Sequence, residues 1–177
     1  TGLNNVAIGQ AALGNNTSAS SNTAVGHLAL DANTTGEKNC AFGLGALTDN
    51  TTGNYNIAIG ENCLADNTTA DNNVAVGMDA ARFNTTGSNI VAVGTSALKD
   101  NTTGSQNTAV GSNALDANTT GSFNSSFGYF SLSANNTGTQ NSALGWASLI
   151  KNTTGSNNVA FGFDALGENT TASNNTA

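Results

Sequence analysis

Apolar and polar positions along the chain recur on a fixed lap. Glycines stand at 9, 26, 43, 60, 77, 94, 111, 128, 145 and 162, always 17 residues apart, with no insertion or deletion between them. With that glycine as position 0, position −1 is apolar in all ten laps: Ile8, Val25, Phe42, Ile59, Val76, Val93, Val110, Phe127, Leu144 and Phe161. Position −2 is Ala in nine laps, with Ser126 the exception, and position −3 is β-branched or small, from Val6 to Val159. Asn fills position −4 in nine laps, and Ile90 breaks that column. The stretch Asn-x-Ala-x-Gly predicts a short β-strand entering a glycine turn. Downstream, position +3 is Ala in seven laps, +4 is Leu in nine, +7 is Asn in all ten, and +8 and +9 are almost always Thr-Thr. Position +10 is Gly in seven laps and Ala in three.

A period this strict makes each lap one structural unit stacked on the next. The chain is read as all-β: a parallel β-solenoid, or β-roll, of ten 17-residue coils covering residues 1–177 as a single array. Coils stacked at about 4.8 Å would make a rod on the order of 48 Å long. A helical repeat fails on propensity, because Asn, Thr, Gly and β-branched residues dominate. The Ala-Leu pair at +3 and +4 could form one short helical turn and no more. The Leu column and the β-branched columns are expected to fill a narrow interior, with Ala where layers approach closely. Small Ala columns beside a continuous apolar column also suit close packing of parallel chains.

Gly at position 0 supplies positive φ at a corner. Asn at +7 tolerates left-handed backbone, and its stacked copies can form a hydrogen-bonded ladder: Asn16, Asn33, Asn50, Asn67, Asn84, Asn101, Asn118, Asn135, Asn152 and Asn169. One coil alone buries too little to offset its ordering entropy, so stability is expected to grow with coil number. Neither end carries a cap, and Thr1 is not an initiator. The array is therefore read as a section of a longer fibre, or as a unit whose copies stack end to end.

Composition narrows the function classes. Only 8% of residues are charged, proline is absent, and net charge is −7. The four basic residues, Lys38, Arg82, Lys99 and Lys151, lie far apart, so there is no footprint for nucleic acid or an anionic membrane surface. No apolar run approaches the roughly 20 residues that insert through a bilayer. His27, the only histidine, falls in the mixed column at +1 and reads as a surface residue. Acidic residues such as Asp31, Asp49, Asp66 and Asp100 occupy variable positions and read as solvated corners. The fixed Asp of a calcium-binding β-roll is missing. No catalytic residue, metal site or cofactor is assigned.

Cys40 and Cys63 sit in different columns and read as unpaired small core residues rather than a disulfide or a metal site. The sequon Asn-x-Ser/Thr recurs at +7 in every coil, but glycans every 4.8 Å or so along one edge would collide. The ladder is the preferred reading of those Asn residues. Tyr129, Trp146 and Phe163 occupy one column in three successive coils, with Phe123 and Phe130 nearby. Such a strip either contacts a sugar or a partner chain, or simply stabilises the stack or fills a trimer interface; the second reading is favoured.

The element Asn5-Val6-Ala7-Ile8-Gly9 resembles the head repeats of trimeric autotransporter adhesins. The longer unit, Asn107-Thr108-Ala109-Val110-Gly111 through Ala114-Leu115 to Asn118-Thr119-Thr120-Gly121, is similar to repeats of bacterial and phage tail-fibre proteins. The resemblance covers the whole chain, although adhesin head repeats are usually shorter than this lap. It implies a left-handed roll, a homotrimer or end-to-end filament, and an extracellular, cell-surface or virion location. It also implies contact with a surface glycan or host receptor. The expected function is a non-catalytic rod, shaft or head of an extracellular fibre or adhesin. The alternative is an ice-binding solenoid using a Thr ladder, although adjacent threonines in a strand face opposite ways and leave one outward rank. A carbohydrate-active β-helix enzyme ranks last, because no carboxylate constellation is present.

Overall fold

The computed structural model describes residues 2–177; Thr1, which the expected array included, lies outside the described residues. Ten strands of three residues recur once per lap: Val6–Ile8 (β1), Thr23–Val25 (β2), Cys40–Phe42 (β3), Ile57–Ile59 (β4), Val74–Val76 (β5), Val91–Val93 (β6), Thr108–Val110 (β7), Ser125–Phe127 (β8), Ser142–Leu144 (β9) and Val159–Phe161 (β10). They form one parallel sheet in chain order, each residue paired with the one 17 later, as in Val74↔Val91 and Ala75↔Ala92. An isolated bridge, Val159↔Thr176, continues the register. The chain is an all-β parallel solenoid with a 17-residue lap.

The interior is thinner than the sequence suggests. It holds the Ala column of the strands (Ala24, Ala41, Ala58, Ala75, Ala92 and onward) together with the +3 and +4 columns, all fully buried through the middle coils. The two flanking strand columns do not fill the interior. Val, Ile and Phe at −3 and −1 point outward, with Phe42 54% and Ile59 41% exposed. A three-residue strand must send its middle side chain one way and its ends the other. One Ala opposite one Leu already fills the space between facing walls, so the larger pair is left outside.

The Ala-Leu segment is a turn with no helix in it. Leu13, Leu30, Leu47, Leu64, Leu98, Leu115, Leu132, Leu149 and Leu166 all have φ between 50° and 56°. Position +2 and position +12 are left-handed too, whatever their residue: Leu28, Ser96 and Phe130 in the first, Lys38, Tyr55 and Gln106 in the second. Asn at +7, where left-handed backbone was expected, is not among these residues.

Left-handed backbone costs roughly 1–2 kcal/mol for a residue with a Cβ. It persists because it aims N–H groups along the rod. Lys38 N–H reaches Ser20 O at 3.2 Å, Asn62 N–H reaches Leu44 O at 2.8 Å, and Leu47 N–H reaches Cys63 O at 3.0 Å. Gly at position 0 has two reasons to be glycine. Its φ lies near 130–140°, and a Cβ on Gly94 would sit 2.6 Å from the carbonyl oxygen of Gly111.

Candidate functional site

Three outward surfaces and one buried device distinguish this rod. The first surface is the strand face. Its −3 and −1 ranks contain no charged residue in any coil, and both ranks run the length of the sheet. In its last coils the face dips into a shallow hollow of about 200 Å³ bounded by Ser125, Phe127, Ser142, Leu144, Val159 and Phe161. The hollow opens where Ser125 and Ser142 replace the usual β-branched residue. Reading the residues as core missed this face. The available signal was size: a column that is almost uniformly Ala belongs inside, whereas one that varies from Val to Phe does not stack in a closed space.

The second surface is the +1 column. Its exposed members include His27, Leu44, Met78, Tyr129, Trp146 and Phe163. Trp146 and Phe163 stack with ring centroids 4.8 Å apart and planes 7° apart. Tyr129 meets Phe130 edge-on at 4.4 Å. The inner faces of the Trp146–Phe163 pair are therefore occupied by each other. Phe123 is exposed and has no ring contact with this group among the described residues.

The third surface is the Thr-Thr edge. Threonines at +9, such as Thr35, Thr52, Thr86 and Thr103, are exposed. Those at +8 spend their hydroxyls on the next coil, as in Thr51 Oγ1 to Thr68 O at 3.0 Å and Thr85 Oγ1 to Thr102 O at 2.9 Å.

The buried device is a double Asn ladder. At +7, Asn50 donates to Asn33 Oδ1 at 2.9 Å, Asn101 to Asn84 at 2.7 Å, and the chain of bonds runs on to Asn169, which donates to Asn152 at 2.8 Å. Each of these Asn residues also caps the carbonyl three residues on, beginning with Asn16 to Ala19 O at 3.2 Å. Asn16 Oδ1 is buried without a partner. Asn67, Asn118 and Asn135 stand in the same ladder. At −4, a second set works differently: Asn39 N–H donates to Asn22 Oδ1 at 2.8 Å, while Asn39 Nδ2 donates to Gly53 O at 2.8 Å. Ile90 interrupts this second ladder, leaving Asn107 N–H with no side-chain oxygen from the preceding coil. Asn33 through Asn152 in the first ladder are fully buried.

The serines that replace Ala in the core are satisfied locally. Ser126 Oγ donates to Ser131 O at 2.7 Å, and Ser131 and Ser148 share a hydrogen bond of 3.0 Å.

The chemistry-bearing side chains stay apart. Both cysteines are free. Cys63 is buried, and that burial pushes its thiol up to about 12. Cys40, expected in the core, lies on the strand face and is half-buried. Among the described residues no three of His, Cys, Asp and Glu gather as a metal-binding group, and no helix is long and apolar enough to cross a membrane.

Asp116 departs from the solvated-corner reading. It is half-buried with Oδ1 unpartnered, and burial raises its carboxyl above the usual range. Asp66 is raised in the same direction by burial, then by Asp49. The basic residues pair separately. Lys38 donates to Tyr55 Oη at 2.8 Å, Arg82 meets Asp79 at 3.1 Å, Lys99 lies 5.9 Å from the Phe83 ring, and Lys151 meets Glu168 at 2.6 Å. No protein-family model, curated protein or solved structure matches the chain.

Proposed function

We propose that this chain is a non-catalytic structural segment, a rod, shaft or head of an extracellular fibre, that works through its shape and through association with copies of itself. One observation carries the reading: coils are bonded to one another by backbone, Asn and Thr ladders, while one whole side of the rod is uncharged and mostly apolar, with its side chains half-buried in the middle coils and exposed toward the ends. The ladders suit load along the axis. The bare side suits lateral association with another copy; the homotrimer or filament that the resemblance to adhesin heads and tail fibres implies would use the remaining faces as well. A surface glycan or host receptor would then meet the remaining flanks, including the Tyr129–Trp146–Phe163 column.

Static light scattering across a hundredfold range of protein concentration, with negative-stain images of the same samples, tests this reading. Rods containing more than one copy are expected. A monomer at every concentration would overturn the lateral part of the proposal.

The ice-binding alternative rests on the exposed +9 Thr rank. It is weaker because the +8 hydroxyls are committed to inter-coil bonds, so only one rank is free. A thermal-hysteresis measurement at millimolar protein separates the two readings.

A further inference from the structure

We infer that a second copy of this chain docks on the strand face with its rod parallel and in register, so that the −1 residue of each coil seats over the −3 residue of the same coil in its neighbour. The inference rests on the reading of the chain as a self-associating rod and adds its geometry.

The first argument is chemical. Interface cores are depleted of charge and enriched in aromatic and apolar groups. The two strand ranks carry no charge in ten coils, although eleven acidic and four basic residues are distributed over the other columns. Three-residue strands stacked at about 4.8 Å give a face roughly 10 Å by 45 Å, on the order of 450 Å² in projection. Side-chain relief and the flanking +1 residues Leu44 and Met78 extend it toward the ~800 Å² per partner of a stable interface.

The second argument is volume. Within a coil, a large −1 residue tends to accompany a small −3 residue: Phe42 with Cys40, Phe127 with Ser125, Leu144 with Ser142. Where −1 is Val or Ile, −3 is Thr, Val or Ile. Coil ten departs from the trend, with Val159 beside Phe161. An isolated rod has no need of such compensation, and it does not use it. The space over Ser125 and Ser142 stays open as the hollow beside Phe127 and Leu144.

A two-fold axis parallel to the rod, pairing two copies, resolves this. It keeps coil opposite coil but reverses strand direction across the contact. Phe127 of each copy then meets Ser125 of the other, and the pairs fill one another's gaps. Antiparallel rods centred on each other would instead set coil three against coil eight, Phe42 on Phe127 and Cys40 on Ser125, overfilling one rank and emptying the other.

The test is a volume swap. Ser125→Phe overfills the contact and Phe127→Ser empties it; each should weaken association at least tenfold by light scattering or sedimentation. The double variant exchanges the two positions and should restore association to within about threefold of the parent. Equimolar mixing of the two single variants should also recover it. If the parent associates but neither the double variant nor the mixture recovers, the in-register geometry is overturned while the fibre reading stands. If the parent is monomeric, the lateral part of the fibre reading falls together with the geometry. Both side chains point away from the interior, so circular dichroism of each variant should match the parent. Should β8 variants not fold, the same exchange in β9, Ser142→Leu with Leu144→Ser, decides the question.

Discussion

The Asn101 side chain donates to Asn84 Oδ1 across 2.7 Å, and Asn84 in turn donates to Asn67 Oδ1 at 3.1 Å and to Gly87 O at 2.9 Å. One buried amide therefore serves three coils. Asn84→Ala removes all three bonds; Asn101 Nδ2 keeps Gly104 O, and Gly87 O and Asn67 Oδ1 keep Asn73 Nδ2, so each lost bond is worth about 1 kcal/mol. We expect a loss of about 3 kcal/mol in urea unfolding. A loss under about 0.5 kcal/mol would mean the ladder contributes little to stability.

Two positive-φ positions of one lap make opposite forecasts. Gln106 has φ of 58° and an exposed side chain. Gln106→Gly should raise stability by about 0.5–1 kcal/mol, because glycine reaches that conformation without strain. Gly94→Ala should do the reverse and cost several kcal/mol, since its Cβ would meet the Gly111 carbonyl carbon at 2.7 Å with the backbone at φ 133°. Thermal melts of both variants check the pair of signs.

The two thiols should behave differently. Cys63 is fully buried and held protonated well above neutral pH, whereas Cys40 sits on the outward strand face. Titration with a chromogenic disulfide at pH 8, at a dilution where the copies are apart, should modify Cys40 and leave Cys63 unreacted until the chain is denatured. Two thiols reacting at one rate in the folded protein would contradict the packing of the +3 column.

Stability should rise on mild acidification. Burial raises the carboxyls of Asp116 and Asp66 above the 3.8 of an unperturbed aspartate. The folded state then holds protons that the unfolded chain has released. This contribution is fully present below 3.8 and is lost as pH rises through the folded values. We expect a higher melting temperature near pH 4 than at pH 7, and a smaller difference in Asp116→Asn. A parent that melts earlier at the lower pH would refute the assignment.

Most of the architecture was legible because it is periodic. The lap length, the strand position and the parallel register follow from glycines that never slip, and β1 to β10 fall where Asn-x-Ala-x-Gly recurs. The facing of the strands was not legible from hydrophobicity, since all three strand residues are apolar in Val74-Ala75-Val76 and in Ile57-Ala58-Ile59. Size decides it: Ala, the smallest, goes inside. The left-handed columns at +2 and +12 were invisible for a different reason. Their residues range from Lys38 to Phe123, and the conformation is imposed by bonds between laps rather than by local preference. The sequence puts Tyr129, Trp146 and Phe163 in one column, but the stacking of Trp146 on Phe163 depends on side-chain angles that the period does not specify.

The unbroken register between laps also governs how such a molecule can change its size. A single added or lost residue would throw every later column onto the wrong wall, whereas a whole extra lap would insert between two others and find all its partners waiting. Length in this chain is thus a quantity that comes in equal steps of about 4.8 Å, adjustable by duplication or deletion of complete laps and by nothing smaller.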